Sequence, residues 1–244
     1  MPRVCEGAFM KCREFLDLLQ TEYYLVNVLS HKNGAKIMRM RHKTMNRDLL
    51  AKWYEKPVKA YELLKIVRHE NIPEIYDVIF CEDGQIVLEE YINGISVADV
   101  LENGKYTYAG AKKVLYGVCN AAYSLHKMGL IHRDIKPENV LISRGGVVKL
   151  IDFNASCEMT DDDQTGDAVI LGTIGYAPPE QFGVGVSDGR ADIYAIGVLL
   201  NVMLTGEHPS RCLAKGKAGR IVQKCTLIDP QSRFPNAEKL MQAL

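Results

Sequence analysis

The segment His132-Arg133-Asp134-Ile135-Lys136-Pro137-Glu138-Asn139 constrains this chain more than any other. Before it, residues 111–127 carry Val114, Leu115, Val118, Ala122 and Leu125 on one stripe, the pattern of a core-facing helix. That helix pattern stops at Gly129, which suits a C-cap. After it, residues 140–142 and 147–151 read as short apolar strands. The polar octet is therefore an irregular loop held between a buried helix and a buried hairpin.

Its side chains suit one chemistry. Phosphoryl transfer needs a carboxylate to orient the attacking hydroxyl, oxygen ligands for a divalent metal, and a cation near the transferring group. Asp134 can supply the first, Asn139 and Asp152 the second, and Lys136 the third. Spacings of two and five residues after Asp134 let one loop aim three side chains at one site. A lone Asp134 would read as a turn former or cap; inside this octet the catalytic reading is the stronger.

The octet followed by Asp152-Phe153-Asn154 resembles the catalytic loop and magnesium-binding triplet of protein kinases, and Lys136 is similar to the Ser/Thr-directed branch. Gly172-Thr173-Ile174-Gly175-Tyr176-Ala177-Pro178-Pro179-Glu180 resembles the end of their activation segment. Asp192-Ile193-Tyr194-Ala195-Ile196-Gly197 resembles the buried helix beneath the catalytic loop. Asp229-Pro230 with Arg233 resembles the site whose arginine pairs with the activation-segment glutamate, here Glu180. The resemblance is to the eukaryotic-like Ser/Thr protein kinase family, in a compact, bacterial style, and covers roughly residues 23–244. It implies an α+β, kinase-like bilobal fold: a small β-rich N-lobe over about residues 1–92 and a larger helical C-lobe over 93–244. It also implies catalytic roles for Asp134, Lys136 and Asn139, metal ligation by Asn139 and Asp152, and ATP with Mg2+ as cofactors. Asp192 is expected to brace the loop backbone, Thr173 to bond Asp134 and Lys136, and His132 and Phe153 to pack.

The first third departs from the family. Strands are expected over residues 23–29 and 35–41, joined by the turn signal His31-Lys32-Asn33-Gly34, and a helix over 57–67. A second hairpin joins residues 75–80 to 85–89. The stretch Leu18-Leu19-Gln20-Thr21-Glu22, aligned with the glycine-rich phosphate lid, has no glycine. Laying residues 35–41 on the family's third strand puts Arg39 at the lysine position, with Lys36 and Arg41 as fallbacks. Counting back from His69 puts Ala60 where the family's helix glutamate sits. Glu89, at the position facing the nucleotide, is expected to substitute and to pair with Arg39; Tyr91 and Ile92 beside it complete the expected nucleotide contacts. Asn154 replaces a glycine and tolerates positive φ.

Charge excludes some partners. Thirty basic residues balance thirty acidic ones, so no global field recruits nucleic acid or an anionic membrane. The longest apolar stretch, residues 193–204, is too short to span a bilayer, and residues 1–10 lack the apolar core of a leader. Seven cysteines without a C-x-x-C pair read as free thiols in a reducing cytoplasm. Thr160 and Thr165 are candidate autophosphorylation sites. The expected function is Mg2+-dependent transfer of the ATP γ-phosphate to Ser/Thr hydroxyls of a protein substrate. The alternative is a pseudokinase that senses nucleotide or acts as a scaffold.

Overall fold

A computed structural model describes residues 10–32, 34–159, 173, 175–182 and 188–244. Thr160, Thr165, Gly172, Ile174 and residues 183–187 lie outside the described residues. The chain forms two compact units. One holds residues up to Val67 and Glu74–Tyr91; the other holds Arg68–Pro73 and Ile92–Leu244.

The first unit opens with a helix, α1 (Cys12–Glu22), and continues as strands β1 (Tyr23–Lys32), β2 (Ala35–His42) and β3 (Asp48–Tyr54). A short helix, α2 (Ala60–Leu64), precedes the hairpin β4 (Ile75–Cys81) and β5 (Gly84–Glu90). The five strands form one antiparallel sheet in the order β1-β2-β3-β5-β4. Alternation along β2 and β3 gives the sheet two different faces. Met38, Met40, Leu49, Ala51, Ile86 and Leu88 point to one face and pack against Cys12 and Phe15 of α1. Arg39, Asp48, Lys52 and Glu89 occupy the other. The tight β4–β5 turn requires Gly84: its φ is +146°, and a Cβ there would stand 2.2 Å from the Tyr54 carbonyl oxygen.

Three expectations change here. Residues 18–22 are the last turns of α1 and not a phosphate lid; the sheet's first hairpin is β1–β2, which turns through Gly34. Residues 35–41 belong to the second strand, so the third strand is β3, over Asp48–Tyr54. The helix expected over 57–67 shrinks to α2, which buries Ala60, Tyr61 and Leu64 and ends at Lys65.

The second unit holds β6 (Gly94–Ser96), α3 (Val97–Glu102), α4 (Tyr108–Lys127) and β7 (Leu130–Ile131). It continues with β8 (Val140–Ser143), β9 (Val148–Leu150) and β10 (Cys157–Glu158), and closes with α5 (Arg190–Thr205), α6 (Gly216–Cys225) and α7 (Ala237–Ala243). Ser96 starts α3 with a reciprocal cap: its hydroxyl accepts from the Asp99 amide at 3.0 Å, and the Asp99 carboxylate accepts from the Ser96 amide at 2.9 Å. α4 ends as expected, with Gly129 left-handed at φ +76°. α5 is buried along most of its length and packs on α4 and α6. Gly197 permits that approach, since a Cβ there would lie 2.3 Å from Cys225 Cβ. Among the described residues no helix is long and apolar enough to cross a membrane.

Candidate active site

In the second unit the loop between β7 and β8 carries Asp134, Lys136 and Asn139. Its backbone bends sharply, with Arg133 left-handed at φ +65° and, beyond β9, Asp152 at φ +67°. Non-glycine residues hold such angles only where surrounding bonds over-determine them. At Arg133 those bonds come from Asp192 on α5. Its fully buried carboxylate accepts from the His132 and Arg133 amides, each at 2.9 Å, and its Oδ2 lies 2.8 Å from His126 Nε2. Burial would raise the Asp192 carboxyl, but the His126 bond and the loop amides bring it below the ordinary value. The buried His132 ring sits edge-on to Phe153 at 5.2 Å, with Nε2 3.1 Å from the Ile151 carbonyl oxygen. Burial pushes the His132 pKa down.

This scaffold leaves a small polar triangle. Asp134 Oδ1 accepts from the Thr173 hydroxyl at 2.7 Å, and Asp134 Oδ2 lies 2.7 Å from Lys136 Nζ. Lys136 Nζ closes the triangle by donating to Thr173 Oγ1 at 2.7 Å. Asn139, itself buried, donates its amide to Asp134 Oδ2 at 2.9 Å and to the Asp134 carbonyl at 2.8 Å. Burial alone would raise the Asp134 carboxyl; Lys136 and Thr173 outweigh it and hold the group below the usual carboxylate range. The result is an anionic carboxylate with fixed orientation. Asn139's amide nitrogen faces Asp134, which turns its oxygen away, and Asp152 supplies a second oxygen donor on the neighbouring segment. The left-handed residue of the triplet is Asp152, so Asn154 does not carry the positive φ expected of it.

The expected structural pair also forms. Arg233 Nη1 and Nη2 bond the two Glu180 carboxylate oxygens at 2.6 and 3.0 Å, and the same guanidinium donates to the Leu227, Arg190 and Ile228 carbonyls. A planar five-donor cation satisfied on every side pins these segments together.

In the first unit the cation beside Glu89 is Lys52, a residue the sequence reading missed. Lys52 Nζ lies 2.7 Å from Glu89 Oε2, and both side chains are almost completely buried. The register explains it: Lys52 stands opposite Val87, so Glu89 is its diagonal neighbour on the same face. Tyr61 of α2 lies behind, its hydroxyl 3.4 Å from Lys52 Nζ and 3.0 Å from the Tyr54 hydroxyl. Glu55 and Glu62, near and on α2, are exposed. Arg39 is instead held by Asp48, which also binds Arg41 at 2.5 Å. Its guanidinium lies over the Tyr91 ring at 4.2 Å. The expected Arg39–Glu89 pair is thus replaced by Arg39–Asp48 and Lys52–Glu89. Lys36 falls on the opposite face, in step with Met38 and Met40 beneath α1, and Ile92 is buried in the second unit.

The protein kinase domain family matches residues 22–243. The chain belongs to the protein kinase family. Similar relatives include the probable serine/threonine-protein kinase PknB of Bifidobacterium longum, 34% identical over 182 residues, or 70% of this chain and 26% of that protein. The Aurora kinase of Candida glabrata is 31% identical over 86% of this chain and 62% of its own length. The serine/threonine-protein kinase PknB of Mycolicibacterium smegmatis is 28% identical over 78% of this chain and 33% of its own. The chain therefore spans less than two thirds of each of these relatives.

Against the kinase family, the first unit's irregularity is narrower than the sequence suggested. A third-strand lysine is present, and its carboxylate partner comes from β5. The signal for Lys52 is the apolar run Leu49-Leu50-Ala51-Lys52-Trp53, which one lysine interrupts.

Proposed function

We propose that this chain is a serine/threonine protein kinase that transfers the γ-phosphate of ATP to protein hydroxyls. The observation that carries this reading is the Asp134–Lys136–Thr173 triangle, buttressed by Asn139 and braced through Asp192. An acceptor hydroxyl bonding the anionic Asp134 would have its oxygen lone pairs aimed for in-line attack. Lys136 places a positive charge where the transferring group gathers negative charge. Lys52, paired with Glu89 at 2.7 Å, is the residue we assign to holding the nucleotide phosphates.

The donor set fits Mg2+, the expected metal. Asn139 and Asp152 offer hard oxygens from two segments held by the Asn139 O to Ile151 N bond at 2.9 Å. A metal bound there supplies charge neutralisation on the phosphates. All six described cysteines are free thiols, which supports a reducing compartment such as the cytoplasm.

The test is transfer of labelled γ-phosphate from Mg·ATP into the chain itself and into a generic basic protein. Incorporation that vanishes in Asp134→Asn supports the kinase reading. Nucleotide binding without incorporation in the wild type would replace it by a pseudokinase.

A further inference from the structure

Far from the polar face of the sheet, Cys12, Cys81 and Asp83 converge. Cys12 is the first residue of α1, Cys81 the last of β4, and Asp83 lies in the turn to β5. Their two sulfurs and a carboxylate oxygen all lie within 4.8 Å of one another. The two segments, 71 residues apart in sequence, are tied by two hydrogen bonds from backbone amides. The Cys12 amide donates to Asp83 Oδ1 at 2.7 Å, and the Glu82 amide donates to the Met10 carbonyl at 3.2 Å. Cys12 is fully buried, Cys81 half-buried and Asp83 exposed, so the cluster is rooted in the core and open on one side.

We propose that Cys12, Cys81 and Asp83 form a binding site for a thiophilic divalent cation of the zinc type. Zinc–sulfur bonds of about 2.3 Å and zinc–oxygen bonds of about 2.0 Å put tetrahedral ligand atoms roughly 3.3–3.8 Å apart, within reach of the observed spread by small side-chain rotations. Two sulfurs and one carboxylate from three positions leave a fourth site on the open side for water. Asp83 keeps one oxygen on the Cys12 amide, which fixes the carboxylate and leaves the other for the metal. Binding converts two thiols and the carboxylate into ligands: the cation gains two thiolates and one carboxylate oxygen, and two protons leave to solvent. Nothing is oxidised. The bound ion would fasten α1, which covers the apolar face of the sheet, to the β4–β5 hairpin. The second thiol suits thiolate ligation, because a hard-cation site would be built from oxygens alone.

The experiment is titration of the full chain with Co2+, whose thiolate-to-metal charge-transfer absorption reports sulfur ligands, followed by displacement with Zn2+. The expected result is one ion per chain, charge-transfer absorption from two thiolates, and a higher melting temperature with Zn2+. Cys12→Ser and Cys81→Ser should each weaken binding by about 100-fold or more and lose half the charge-transfer intensity. Asp83→Asn, whose amide oxygen can still accept from the Cys12 amide, should weaken it about tenfold or more without removing the sulfur signal. Absorption that is absent in the wild type, or that persists undiminished in both serine variants, would overturn the proposal. So would a Cys12–Cys81 disulfide in protein that binds no metal after reduction, which would make the pair a redox element instead.

Discussion

Lys52 and Glu89 form a 2.7 Å ion pair within one β-sheet, from β3 to the diagonal position on β5. Both ends sit on strands joined by a continuous hydrogen-bonded ladder, so the pair is held by sheet geometry and needs no helix movement to form. α2 contributes Tyr61 instead of a carboxylate.

Breaking one end of this pair should be costly, because a buried charge then loses its 2.7 Å ion-pair partner. Glu89→Ala and Lys52→Met are each expected to lower stability by about 3–5 kcal/mol in urea unfolding. Lys52→Met combined with Glu89→Leu should recover most of that loss while ATP affinity stays low. Equal losses that simply add in the double variant would show that the two side chains are not coupled.

Arg39 should behave differently. Its pair with Asp48 is partly solvated, so Arg39→Ala is expected to change stability by less than about 1 kcal/mol. In a double-mutant cycle with Glu89→Ala the coupling should stay below about 0.5 kcal/mol. A coupling of several times that size would restore the Arg39–Glu89 pair.

Asp134→Asn keeps the shape of the loop and removes the anion. Turnover is expected to fall by roughly 10²–10⁴-fold with ATP binding unchanged. Thr173→Ala removes only the third corner of the triangle, so its loss in kcat should be smaller, and single-turnover measurements with saturating ATP will rank the two.

Acid should destabilise the chain in two stages. Burial lowers His132, and also the half-buried His69, below the ordinary 6.5. The unfolded chain then takes up these protons first, so stability present above pH 6.5 falls as pH drops below it. Asp134 and Asp192 are depressed below the ordinary 3.8, and their contribution is lost as pH falls further through that value. Urea midpoints measured from pH 7.5 to 3 should show both declines. The upper one should shrink in His132→Phe; an unchanged upper slope would mean His132 is charged in the folded protein.

Glu180→Ala leaves the Arg233 guanidinium, fully buried, without its carboxylate. A loss of about 3–5 kcal/mol is expected. Arg233→Met with Glu180→Leu should cost less than either single change, since no isolated charge remains.

Much of the second unit was legible because its signals are local. The stripe of α4, its stop at Gly129 and the apolar α5 follow from helical periodicity. Asp134, Lys136 and Asn139 lie in one loop, so their convergence is written in spacings of two and five residues. The Glu180–Arg233 and Asp192 contacts reach across long separations, and only the ordered motifs around them made them readable. The first unit gave weaker signals. α1 has a polar half that hides its apolar stripe, and Lys52 breaks the apolar run of β3, so residues 35–41 fall into the third-strand place while the hairpin over 75–80 and 85–89 keeps its own.

By itself the sequence determined which side chains gather in the loop, the helices that hold it and the family, because short-range spacing, periodicity and ordered motifs carry that information. Only the tertiary structure decided which cation meets Glu89 and which three side chains meet at Cys12. Side-chain partners across a sheet depend on strand register, and a shift of one strand hands each position new neighbours while leaving local composition unchanged.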